Sequence, residues 1–134
     1  MRYFLDNTFP TKLADMLRLL DIEAVHLQSM FPAETADEIW IPQISHEEYI
    51  LLTGDGNIRK GRVEKIALEE SKLRVVFFYD GFTRLTRFEQ VSFVTKHWLN
   101  LDKAAKRLRS GEHLTITHNG MLRTPEQLAL KRKK

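Results

Sequence analysis

The chain has 134 residues, no cysteine, 43% hydrophobic residues and a formal net charge of +3, which fits one globular domain with a core of its own. The missing cysteine excludes disulfides, thiolate zinc sites, iron–sulfur clusters and cysteine nucleophiles, and leaves carboxylates, hydroxyls and imidazoles for any chemistry. Four of the 21 cations stand in the run Lys131 to Lys134, leaving 17 against the 18 acids, so the basic character belongs to a tail (125–134) expected to be a solvated end. No apolar run reaches the roughly 20 residues of a membrane span and no secretory pattern opens the chain. A cytoplasmic protein without membrane contact is expected.

The first element is a short strand at Tyr3-Phe4-Leu5, stopped by the turn residues Asp6-Asn7. Leu13, Met16, Leu17 and Leu20 follow at the spacing of one helical face, with Pro10 suited to a first turn. A second strand falls within Ile22 to Leu27. Thr35-Ala36-Asp37-Glu38 has the form of a capping box and predicts a helix carrying Ala36, Ile39, Trp40 and Ile44 on one face. Tyr49 to Thr53 is continuously apolar, as in a parallel strand covered on both sides, and opens into Gly54-Asp55-Gly56-Asn57. A helix through Val63, Ile66 and Ala67 leads to a further buried strand at Leu73 to Tyr79. Residues Thr86 to Arg109 are helix-prone, with Phe88, Phe93 and Trp98 at apolar positions and a break predicted near Asn100. His113 to Thr117 alternates like an edge strand and pairs in prospect with Met121 to Arg123 across Asn119-Gly120.

Strands and helices thus alternate, the signature of an α/β fold with a central, mainly parallel sheet between two helical layers. Residues 1–124 are read as a single domain. Ligands in such folds collect at the carboxyl ends of the strands, where Asp6 and Asp55 stand directly after strands while Asp37 and Glu38 open a helix. Carboxylates gathered at one edge repel one another unless a hard cation such as Mg²⁺ or Mn²⁺ lies among them. Each acid also has an ordinary structural role: Asp6 in an Asx turn, Asp37 and Glu38 at a helix start, Asp55 in a turn. Glu64 is an outer candidate, and Thr53 either bonds at the strand end or simply fills a strand position. The cations Arg59, Lys60 and Arg62 come just after Asp55 and suit phosphate contacts. Lys103, Lys106, Arg107 and Arg109 read as a solvated face.

The order of Leu5-Asp6-Asn7, then Asp37-Glu38-Ile39-Trp40-Ile41, then Leu51-Leu52-Thr53-Gly54-Asp55 resembles the PIN-like domains. More specifically it is similar to the VapC-type branch of bacterial toxin–antitoxin systems, over roughly residues 1–110 when Arg59 to Leu68, Phe77-Phe78, Glu89-Gln90 and Trp98 are included. The resemblance implies a three-layer α/β/α PIN-like fold and a ribonuclease that hydrolyses RNA phosphodiester bonds with Mg²⁺ or Mn²⁺. Asp6, Asp37 and Asp55 are the implied metal ligands and catalytic acids, with Glu38 orienting water. Partners implied are an RNA substrate, a cognate antitoxin protein and a second copy of the chain. Typical members carry a further acid between the first and middle positions; Asp15, Asp21, Glu23 and Glu34 are available, none in a recognisable motif. The alternative is a catalytically silent PIN-like module that binds RNA or a protein partner. A phosphoacceptor receiver domain fits the length and Asp55 but lacks paired acids after the first strand and a Lys-Pro dipeptide. Nucleotide-binding glycine motifs and zinc spacings of His26, His46, His97, His113 and His118 are missing.

Overall fold

The computed structural model of the chain describes residues 1–54, 68 and 70–133. In chain order the elements are β1 (Arg2–Leu5), α1 (Thr11–Leu19), β2 (Ala24–His26), α2 (Asp37–Ser45), β3 (Tyr49–Thr53), β4 (Arg74–Phe78), α3 (Arg87–Ala105), β5 (His113–Ile116), β6 (Leu122–Arg123) and α4 (Pro125–Lys133). Short 3-10 turns at Leu27–Ser29 and Phe82–Arg84 follow β2 and β4. The predicted helix through Val63, Ile66 and Ala67 lies outside the described residues.

One six-stranded sheet runs in the order β2-β1-β3-β4-β5-β6. The first five strands in that order are parallel, and β6 returns antiparallel beside β5. Alternate side chains of each strand face opposite layers. Tyr3, Leu5, Ile50, Leu52, Val76 and Phe78 meet α1 and α3, through residues such as Leu13, Leu17, Val94 and Trp98. Phe4, Leu51, Val75 and Phe77 meet Trp40, Ile41 and Ile44 of α2 on the other face. All five residues of β3 are therefore buried, which is why that strand reads as an unbroken apolar run. The molecule is a three-layer α/β/α sandwich.

Several expectations at helix level change. Residues Thr35 and Glu38 form no capping box: α2 starts at Asp37 behind Ala36 with no side-chain cap, and the Thr35 hydroxyl donates backward to the Pro32 carbonyl at 2.7 Å. Its buried face is Trp40, Ile41 and Ile44, while Ile39 points to solvent. The Thr86 side chain and Glu89 do form such a box, at the start of α3. That helix runs unbroken past Asn100 and stops at Ala105, and its buried stripe of Gln90, Val94, Trp98, Leu101 and Ala105 leaves Phe88 82% exposed. The stretch after Thr124 is also ordered into α4, behind a reciprocal pair of bonds between Thr124 and Gln127. The predicted Asn119-Gly120 turn joins β5 to β6, with Gly120 at φ 81°, a left-handed value that costs glycine nothing.

Candidate active site

The chain leaves β1 toward β2 on one side, whereas β3 and all later strands lie on the other. Loops diverge at the carboxyl ends of such a strand pair and leave a crevice between them. Asp6 directly follows β1 there, and Thr53 and Gly54 close β3 beside it.

Asp6 is only 3% exposed. Its Oδ1 accepts hydrogen bonds from the Thr8 backbone N–H at 3.0 Å and from the Thr8 hydroxyl, and the wholly buried Thr53 side chain also bonds it. The Thr8 hydroxyl in turn accepts the Gly54 N–H at 2.8 Å, so one small network ties the ends of β1 and β3 together. The Asx turn anticipated for Asp6 is present, and it does not cap α1, which begins behind Pro10. A Cβ at Gly54 would stand 2.9 Å from the Thr83 methyl, so the residue is held small by the turn after β4.

Removal of the Asp6 carboxyl from water raises its pKa from 3.8 to about 6, against the lowering effect of the bonds from Thr53 and Thr8, and the charge of Asp37 pushes in the same upward direction. Asp37, half-buried at the first position of α2, is thus within electrostatic reach of Asp6. Its Oδ1 accepts the Trp40 indole N–H at 3.0 Å, while the Trp40 ring stacks on Phe4 of β1 with centroids 5.3 Å apart. The α2 core contact thereby sets where the Asp37 carboxylate sits. Glu38 is exposed at the next position. Asp55, Arg59, Lys60, Arg62 and Glu64 lie outside the described residues. Among the described residues no three His, Asp or Glu side chains form a group able to hold a metal; this part contributes the pair Asp6 and Asp37.

His26, His97 and His113 serve packing. The buried His26 takes the Gln28 N–H on Nδ1 at 3.1 Å, which leaves Nε2 to donate to the Phe9 carbonyl at 2.8 Å and fasten the β1–α1 loop. His113 stands edge-on to Phe77, and His97 covers Gly120, where a Cβ would fall 2.2 Å from its ring. Burial, then the neighbouring Lys96, lowers the His97 pKa. Lys103 and Lys106 lie in the last turn of α3 and just after it, with Arg107 and Arg109 following, at the end of the molecule where β5 begins; Lys106 pairs with Asp102 at 3.1 Å.

A polar cleft of about 480 Å³ opens beside Asp6, with Asn7, Thr8, Thr11, Thr83, Arg87 and Gln90 in its walls. Its only signal in the sequence is an amide, Gln90, on the otherwise apolar stripe of α3.

The profile of the PIN-like domain matches residues 1–80. No curated protein and no solved structure matched the chain. The matched stretch runs from β1 through β4 and includes Asp6, Asp37 and Asp55. Covering more than half of the 134 residues, it shows that the chain belongs to the PIN-like domain family.

Proposed function

We propose that the protein is a Mg²⁺- or Mn²⁺-dependent endoribonuclease of the VapC toxin type, acting in the cytoplasm and held in check by an antitoxin protein that covers the acidic edge. The observation that carries this reading is Asp6: a carboxylate buried at the crevice between β1 and β3, with a second carboxylate, Asp37, close enough to raise its pKa. Two acids within electrostatic reach of each other, one of them desolvated, disfavour their own charges and favour a cation near them. Oxygen donors without thiolate suit a hard divalent ion, so the donor set fits the metal that the family implies. Asp6 and Asp37 would hold it, joined by Asp55, which follows Gly54 in the chain. A divalent ion bound there supplies charge neutralisation for a phosphodiester and acidifies the attacking water.

The chain's own groups do the rest. Thr8 and Thr53 fix the Asp6 carboxylate so that it needs no reorientation on binding, and Trp40 does the same for Asp37. Glu38, exposed beside Asp37, takes the proton of the attacking water. Arg59, Lys60 and Arg62 contact the phosphates of the incoming strand.

The experiment is an RNA cleavage assay with Mg²⁺ or Mn²⁺. Cleavage that stops with EDTA, and that falls in Asp6→Asn and Asp55→Asn by more than the roughly 10- to 100-fold typical of outer-shell changes, is the expected result. Cleavage without metal that survives those substitutions contradicts the proposal. Salt-sensitive RNA binding with no cleavage under either ion would instead identify a catalytically silent module.

A further inference from the structure

Gln90, in the wall of the cleft beside Asp6, carries a buried polar atom with unmet bonding capacity. Gln90 is 5% exposed, and its Nε2 donates to the Phe82 carbonyl at 3.2 Å. That bond sets the amide orientation, because the flipped amide would place two oxygens together. The Oε1 atom is then buried with no hydrogen-bond partner among the described residues, which native proteins seldom tolerate. Two further features belong to the same walls. The first turn of α1 starts behind Pro10 with no side-chain cap, which leaves its leading amides and the positive end of the helix near Thr11. Arg87 adds a full positive charge.

We propose that this cleft seats one sugar–phosphate unit of an RNA strand, with Gln90 Oε1 accepting a hydrogen bond from a ribose 2′-hydroxyl while Arg87 and the first turn of α1 face a phosphate. The inference rests on the ribonuclease reading and names the part of the substrate that the site recognises. The lining chemistry selects the sugar over the base: hydroxyls and amides dominate, and the one ring in the walls, Phe9, is buried in the core and offers no stacking face. An acceptor requires a donor, and the 2′-hydroxyl is the only donor on a sugar–phosphate backbone. Reaching Oε1 requires cleft side chains to turn. Thr83 and Arg87, both in the cleft walls, are exposed and stand outside the two apolar cores.

The test measures binding of a short single-stranded RNA and a DNA of the same base sequence, in EDTA, to the parent protein, Gln90→Leu and Arg87→Gln. The parent should prefer RNA by about 5- to 10-fold, the value of one hydrogen bond. Gln90→Leu should lose that preference through weaker RNA binding, with DNA binding unchanged, which also reports an intact fold. Arg87→Gln should weaken both nucleic acids alike and reduce the salt slope by about one. Equal affinity of the parent for RNA and DNA, or a preference that survives Gln90→Leu, overturns the proposal. Single 2′-deoxy substitutions walked along the RNA give the same answer with the parent alone: one position should lose the full preference, and a flat profile overturns the proposal even where Gln90→Leu does not fold. Because binding is read without metal, failure of Mn²⁺-dependent cleavage counts against the nuclease reading and leaves the cleft standing, whereas loss of sugar discrimination counts against the cleft alone.

Discussion

At the residue scale the account turns on Asp6, where burial outweighs three hydrogen bonds and lifts the carboxyl pKa to about 6. The folded protein therefore binds this proton more tightly than the unfolded chain. The stability it contributes is complete below pH of about 4 and is lost as pH rises through 6. A shift of about two units corresponds to roughly 3 kcal/mol. Without divalent metal, Asp6→Asn should raise the melting temperature at pH 7.5, since the amide keeps the Thr8 bonds on its oxygen and Thr53 can accept from its nitrogen, yet leave it nearly unchanged at about pH 3, below the unfolded pKa. A lower melting temperature at pH 7.5 would show that the ionised carboxylate stabilises the fold. That an acid follows the first strand is plain in the sequence. Its burial is not, because Thr8, Thr53 and Gly54 close over it from segments 46 or so positions apart. Gln90 enters the sequence only within the stretch Glu89-Gln90 and without a role, because an amide on a helix carries no chemical motif and only its place on an apolar stripe marks it.

At the scale of elements, the contrast between two Thr-x-x-Glu sequences shows what local pattern can and cannot decide. Thr35 and Thr86 both precede a glutamate by three residues, yet only Thr86 caps a helix. Thr35 is diverted by the turn at Pro32, whose carbonyl takes its hydroxyl, so a neighbouring local turn overrides the helix signal. Thr86→Ala should cost about 1 kcal/mol, and Thr35→Ala should stay within about 0.5 kcal/mol as for other surface changes; thermal or urea unfolding of the two variants checks both, and equal losses would contradict the assignment. The central strands are legible because continuous burial writes an apolar run at Tyr49 to Thr53 and at Val75 to Phe78. The faces of α2 and α3 were less so, since Ile39 and Phe88 are apolar by composition but turned to solvent.

At the scale of the whole molecule, alternation of strands and helices announces a parallel sheet but not the order β2-β1-β3-β4-β5-β6 that makes a site of it. That order sets β3 beside β1, and with it Asp37, at the head of the helix entering β3, comes within reach of Asp6. The two cores hold the arrangement from opposite faces, with Phe4 against Trp40 on one and Tyr3 against Trp98 on the other. The most direct measurement of the central claim is calorimetric titration of Mn²⁺ at pH 7.5 into the parent protein, Asp6→Asn and Asp37→Asn. The account predicts binding by the parent that weakens at least about tenfold in each variant. No binding by the parent, or equal binding by all three, would contradict it.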